Sequence, residues 1–213
     1  MAATLANVLD HQRCRLYGQF GAALRLGRRA TVERASGVQP KVGVHDVIIS
    51  YTMPKPLELK LKQGDPAPEF TAVTSAGGKV SLSDFKGQHV ILYFYPRDNT
   101  PGCTKEACAF RDEFAQFKKQ GAVVLGVSTD SAKSHDKFVD KFKLPFPLLA
   151  DEDKKIAQAY GAWGQKSFLG RKYMGTHRVT FLIGPDGKIK KSWPNVKPAE
   201  HAQEVLHALR TAV

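Results

Sequence analysis

The sequence predicts a three-layer α/β/α sandwich around a mixed β-sheet. Two observations carry that expectation: continuous apolar runs that read as buried strands, and stretches of helical period lying between them. A third, a turn signal followed by a short partner strand, makes the sheet mixed rather than purely parallel.

The first run, His89-Val-Ile-Leu-Tyr-Phe-Tyr95, is rich in aromatic and branched residues and ends at Pro96, as a buried central strand does. Ala122–Ser128 is the second and Arg178–Ile183 the third. Pro185-Asp186-Gly187 then signals a turn, with Lys188–Trp193 as the antiparallel partner. Pro145–Leu149 reads as a short buried strand. Between the strands, Cys103, Ala107, Phe110, Phe114 and Phe117 advance by four, three, four and three, which is one face of a single helix, and Gly121 stands where its C-terminal cap belongs. Lys133–Phe142, Asp153–Tyr160 and Pro198–Ala212 read as three further helices, the last with its proline in the first turn. Thioredoxin-like folds have this layered form; periodicity alone leaves flavodoxin-like folds open.

At 213 residues, the chain can hold one domain plus an appendage. Its 42% hydrophobic and 24% charged content is that of a globular protein, and no run of 18 apolar residues suggests a membrane partner. The formal charge of +12 raises a nucleic-acid reading. That reading is set aside because the basic residues are dispersed, without clustered basic and aromatic residues on one face. Composition shifts near residue 53. Residues 1–52 show no sustained period and carry Arg13, Arg15, Arg25, Arg28, Arg29 and Arg34 against only Asp10 and Glu33 before residue 40. We read 1–52 as an extension, disordered or upstream of the true start, and 53–213 as the domain, with Met53 the preferred start and the cytoplasm the expected location. An Arg-rich transit segment would instead direct the chain to a plastid or mitochondrion.

The three cysteines, Cys14, Cys103 and Cys108, are too few for a secreted disulfide framework. Cys14 lies in the unpatterned extension and is assigned no chemistry. Cys103 follows Pro101-Gly102 at a strand-to-helix turn. A cysteine at a helix N-terminus meets unsatisfied N–H groups and the positive end of the helix dipole, which favour thiolate over thiol. Thr100 lies three residues earlier, where its hydroxyl is read either as a partner for the sulfur or a bound oxygen, or as the helix N-cap. Cys108 falls about 140° around the helix from Cys103, off the predicted core stripe. A cysteine there calls for a reason other than packing, and resolving an oxidised neighbour is one.

These residues resemble the peroxiredoxins, closely the peroxiredoxin Q or bacterioferritin-comigratory type. Pro96-x-x-x-Thr100-x-x-Cys103 matches the active-site pattern, and Pro101-Gly102-Cys103-Thr104 followed by Cys108 matches members that resolve within one helix. Trp163-Gly164-x-Lys166-Ser167 and Arg178-x-Thr180-Phe181-Leu182-Ile183 match downstream segments. The resemblance covers about residues 56–213. It implies a thioredoxin-like fold, reduction of hydrogen peroxide and organic hydroperoxides, and an active-site set of Pro96, Thr100, Cys103 and Arg178. It further implies a Cys103 sulfenic acid, a Cys103–Cys108 disulfide recycled by thioredoxin or glutaredoxin, and a monomer that dimerises weakly at most. No cofactor is expected, and no metal, since His135 and His177 stand at no ligand spacing with the cysteines. Gly184 departs from the family's acidic residue before the hairpin turn, and residues 1–52 match nothing in the pattern.

Elementary kinetics assigns the roles. A free cysteine, with pKa of about 8.5, is only about 3% thiolate at pH 7. Lowering the pKa to about 6 gives about thirtyfold more thiolate. With a Brønsted slope of about 0.4–0.5, nucleophilicity falls about tenfold in exchange. The net gain is about threefold, so a fast peroxidase must also stabilise charge on the leaving oxygen. The resemblance places Arg178 near Cys103, where it is assigned to hold thiolate and peroxide oxygens together, with Thr100 to orient the peroxide and Pro96 to shape and shield the pocket. Glu106 is read either as a brace pairing with Arg178 or Arg111, or as a solvated helix carboxylate. In an intact helix, residues five apart have Cα atoms about 8.7 Å apart, whereas a disulfide needs less than about 7 Å. Local unwinding of residues 103–108 on oxidation is therefore expected. Two rival functions use the same cysteine pair: a thiol-disulfide oxidoreductase, disfavoured because C-x-x-C is absent, and a non-enzymatic redox sensor.

Overall fold

A computed structural model describes residues 57–168 and 170–211. The expected boundary at residue 53, the 1–52 extension and Cys14 lie outside the described residues.

The central strand β3 (His89–Phe94) pairs in parallel with β4 (Ala122–Ser128) and antiparallel with β8 (Val179–Ile183). The full sheet has seven strands in the order β2-β1-β5-β4-β3-β8-β9, with β1 at Thr71–Thr74, β2 at Lys79–Ser81, β5 at Leu148–Ala150 and β9 at Ile189–Trp193. β4 and β5 are parallel, while β1–β2, β1–β5 and β8–β9 are antiparallel, so the sheet is mixed as expected. A separate two-stranded hairpin joins β6 (Trp163–Phe168) to β7 (Arg171–Thr176).

Each central strand is buried on both faces, so alternate residues feed two cores. Ile91, Tyr93 and Tyr95 point with Val124 and Leu182 into one. There they meet α1 (Pro101–Asp112), α2 (Phe114–Lys119), α3 (Ala132–Phe142) and α5 (His201–Thr211) through Phe110, Phe117, Phe138 and Leu209. Val90, Leu92 and Phe94 point with Leu125, Val127 and Phe181 into the other. That face is covered by α4 (Lys155–Ala159), a 3₁₀ turn at Leu82–Phe85 and the chain around Ala67 and Phe70.

The structure departs from the expected boundaries for local reasons. The single helix through Phe117 divides at Glu113, whose backbone (φ −93°, ψ 1°) leaves helical geometry; Phe114 and Phe117 still pack on the same core. The helix expected from Asp153 begins at Lys155 because Lys154 is left-handed (φ 64°), and the Asp151 carboxylate accepts the N–H groups of Ile156 (3.0 Å) and Ala157 (2.8 Å). Residues 198–200 form a turn, with Glu200 and His201 donating to the Lys197 carbonyl, before α5 starts. The β1–β2 and β6–β7 hairpins were not expected: β1 and β2 are only four and three residues long, and the first four residues of β7 are all exposed, so no alternation of burial marks it.

Candidate active site

The site forms where β3 ends and α1 begins. Tyr95 donates its N–H to Val127, and Pro96, half-buried and without an N–H, ends the ladder. Asn99 is left-handed (φ 56°) and turns the chain into α1. Thr100 is the N-cap residue, and its carbonyl accepts the N–H of Thr104 at 2.9 Å. Its side chain does not cap the helix: the hydroxyl donates to the Arg97 carbonyl at 3.0 Å. The single hydroxyl proton is thereby committed, leaving Thr100 Oγ1 free to accept from a ligand. Pro101 opens the helix, where a missing N–H costs nothing.

Cys103 is a free thiol, 2% exposed, in the first turn of α1. Arg178 reaches it from the residue before β8, with Nη2 3.1 Å from Sγ. The same guanidinium donates through Nη1 to Glu106 Oε2 in a short ion pair. Glu106 is therefore the brace, and the reading of it as a solvated carboxylate is overturned: it is 0% exposed. Gly102 makes room for this fork, since a Cβ there would lie 3.3 Å from Arg178 Nη2.

Burial pushes Glu106 up to about 7, although Arg178 pulls it down by charge and hydrogen bond. For Arg178, burial works against the cation, but Glu106 and Cys103 more than offset it, so it is held above its ordinary value. The guanidinium thus stays charged between a thiol and a carboxyl that titrates near neutrality. Arg178 also lines an open cleft of about 320 Å³ with Lys166, His177 and residues 194–197. Burial lowers Lys166, Arg178 adding to the effect, and the Lys166 ammonium donates to the Thr176 carbonyl at 2.9 Å. Behind the site, His201 Nε2 lies 2.7 Å from Thr180 Oγ1, and burial lowers this imidazole to about 4.

Cys108 is 3% exposed and belongs to the same buried cluster as Cys103. The expectation that it lies off the core is overturned. Helix α5, about 100 residues further along the chain, packs on α1, and its Ala202, Val205 and Leu209 belong to the same buried cluster as Cys108. Helix α1 is continuous from Pro101 to Asp112, which holds the two cysteines on one intact helix. The structure thus brings Cys103, Arg178 and Glu106 into contact and sets Thr100 at the helix cap. Pro96 stands at the entry to the loop.

Residues 63–192 match the AhpC/TSA family. The chain is 46% identical over 150 residues to peroxiredoxin Bcp of Escherichia coli, covering 70% of this chain and 96% of that one. It is 45% identical over 152 residues to peroxiredoxin Bcp of Bacillus subtilis, covering 71% and 97%. The fold superposes on peroxiredoxin Q of Xanthomonas campestris with a TM-score of 0.67 at 38% identity, over 73% of this chain and 99% of that one. Among the described residues no helix is long and apolar enough to cross a membrane. Matched along nearly the whole length of these relatives in sequence and in fold, the chain belongs to the AhpC/TSA family as a peroxiredoxin of the Q or bacterioferritin-comigratory type, a thiol-dependent peroxidase that takes a peroxide as oxidant and a thiol as reductant.

Proposed function

We propose that Cys103 is the peroxide-attacking thiolate, that Cys108 resolves it, and that thioredoxin recycles the resulting disulfide. The observation that carries this reading is the 3.1 Å contact between Arg178 Nη2 and Cys103 Sγ: a permanent cation beside a sulfur favours its thiolate and stabilises an oxyanion developing next to it. The Cys103 thiolate attacks the near peroxide oxygen, the O–O bond breaks, and the far oxygen leaves with the bonding pair. It takes up a proton as water from hydrogen peroxide, or as an alcohol from an organic hydroperoxide. The sulfur keeps the near oxygen as sulfenic acid. Arg178 stabilises the charge that grows during this step. Thr100, its proton committed to Arg97, accepts the peroxide O–H and orients it. Pro96 walls the loop side of the pocket.

The Cys108 sulfur then attacks the Cys103 sulfenic sulfur, forming the S–S bond and releasing water. Because both sulfurs are buried on one helix, the first turns of α1 must unwind for this step, which also exposes the disulfide to its reductant. A dithiol partner gives up two electrons and two protons and restores both thiols. Thioredoxin suits this exchange, with glutaredoxin the other candidate. The sparse cysteines suit a reducing compartment, the cytoplasm in the simplest case, and the enzyme is read as a monomer.

The test is NADPH consumption by wild type, Cys103→Ser and Cys108→Ser with thioredoxin, thioredoxin reductase and hydrogen peroxide. Cys103→Ser is expected to abolish turnover; Cys108→Ser is expected to oxidise once and then stop. Sustained turnover by Cys103→Ser would defeat the proposal. A redox sensor using the same pair would oxidise without repeated turnover, and a thiol-disulfide oxidoreductase would reduce insulin faster than peroxide.

A further inference from the structure

Five residues before Cys103, the loop after β3 is fastened by a buried cluster that the peroxide chemistry does not use. Asp98, 6% exposed, accepts Tyr95 Oη on one oxygen at 2.7 Å. Its other oxygen accepts Ser134 Oγ at 2.7 Å and faces His135 Nδ1 at 2.9 Å. His135 is 0% exposed, and its Nε2 faces the Leu149 carbonyl in β5 at 3.1 Å. Both ring nitrogens therefore lie within hydrogen-bond distance of an oxygen, one in the loop and one in β5, so the ring bridges the two. The backbone N–H of Asp98 donates to Asp130 Oδ2 at 2.9 Å, and that oxygen also accepts Ser128 Oγ at 2.6 Å. One short loop is thus tied to α3, to β5 and to the end of β4.

A buried polar cluster is weak evidence for net stability, and its best-attested use is to select one geometry. The geometry selected here is that of Pro96–Thr100, which delivers the N-cap of α1 and then Cys103. Neither Asp98 nor His135 hydrogen-bonds Cys103 or Arg178, so their influence is one of position.

We propose that the Asp98–His135 pair anchors the loop that presents Cys103: it holds Thr100 and Cys103 in the arrangement that receives peroxide, and it opposes the unwinding that carries Cys103 to Cys108. This rests on the roles proposed for the two cysteines. An anchor of this kind separates the two half-reactions. Loosening it displaces the groups that hold the peroxide, and a misplacement of about 1 Å costs about a hundredfold in rate. Loosening it also raises the population of the unwound form in which the disulfide closes. A general loss of folding would lower both rates together.

The experiment is stopped-flow oxidation of the full chain by hydrogen peroxide, resolving the second-order oxidation of Cys103 from the first-order closure of the disulfide. Circular dichroism confirms folding of each variant. Asp98→Asn is expected to slow oxidation by about ten- to a hundredfold while speeding closure several-fold. Tyr95→Phe removes one donor to Asp98 and keeps the ring, so it should move both constants in the same two directions by a smaller factor; it decides the matter if Asp98→Asn does not fold. Two constants that stay unchanged, or that fall together, overturn the anchor. A wild type whose Cys103 peroxide leaves unoxidised overturns the assigned cysteine roles and the anchor with them, and that result is visible before any anchor variant is made.

Discussion

The two faces of the central sheet are equally buried and chemically unlike. On the face of Val90, Leu92 and Phe94 the core is apolar, and two polar groups beside it are satisfied: Tyr160 Oη donates to the Pro68 carbonyl at 2.8 Å, and Asp151 accepts two backbone N–H groups. On the face of Ile91, Tyr93 and Tyr95 lie both ends of a charged fork, a buried carboxyl and two cysteines. Among the described residues, Glu106 Oε1, Thr104 Oγ1 and Tyr93 Oη on that face are buried without a hydrogen-bond partner. Burying such groups costs free energy that a protein retains where it serves chemistry. One face thus supplies stability and the other spends some of it on an electrostatic site.

The sharpest way to break this comparison is Arg178. Replacing it by Gln keeps a donor and removes the charge, and peroxide reactivity of Cys103 is expected to fall about a hundred- to a thousandfold. Arg178→Lys should recover only part of this, because one ammonium cannot span the sulfur and Glu106 as the planar fork does. Competition for hydrogen peroxide against a reference peroxidase measures both. Losses under about threefold would mean that the cation near the sulfur is structural.

The apolar face predicts the converse. Leu125→Ala truncates a fully buried side chain in the core on the other face of the sheet from Cys103 and should cost about 2–5 kcal/mol of unfolding free energy in urea. Peroxidase activity per folded molecule should stay within about twofold. A large specific loss of activity there would erase the division between the faces.

Glu106 sharpens the comparison through pH. Its folded pKa of about 7 lies above its ordinary 4.5, so the unfolded chain releases the proton first as pH rises. Its stabilising contribution is complete below about pH 4.5, declines as pH rises towards 7, and is gone above that. His201 acts in the opposite sense. Burial lowers it to about 4, so stability recovers as pH rises from there towards its ordinary 6.5. The difference between wild type and Glu106→Gln isolates the carboxyl. That difference should grow in favour of the variant by at most about 1.4 kcal/mol per pH unit between pH 5 and 7, measured from urea midpoints. A difference flat with pH would place the carboxyl's titration elsewhere.

How much of this was legible in the sequence follows the same division. The apolar runs announced β3, β4 and β8, the Pro-Gly-Cys turn announced Cys103, and Arg178 was legible only through the resemblance to the peroxiredoxins. The β1–β2 and β6–β7 hairpins left no pattern because their strands are short or exposed, so no hydrophobic alternation marks them. The burial of Cys108 and Glu106 was not readable from one helical wheel, since it depends on groups far along the chain, Arg178 among them. The Asp98–His135 pair joins residues 37 apart in sequence. Its one local trace was His135 standing with Phe138 and Phe142 at spacings of three and four, on the buried stripe of α3.

The smallest effect we predict concerns how tightly the charged face is packed. Tyr93 pairs with Gly126 across β3 and β4 and stacks on Phe110 at 4.8 Å, with Phe146 at its edge. A Cβ on Gly126 would stand 2.6 Å from Tyr93 Cζ and Oη and from Leu148 Cδ2, closer than atoms pack. Gly126→Ala should therefore cost about 1–3 kcal/mol through displacement of the ring. Tyr93→Phe deletes an oxygen that has no partner among the described residues, and should by itself be close to neutral. In the double variant the missing oxygen relieves part of the clash, so the combined loss should be smaller than the sum of the two. Strict additivity would mean that Leu148, and not the Tyr93 ring, is what keeps position 126 a glycine.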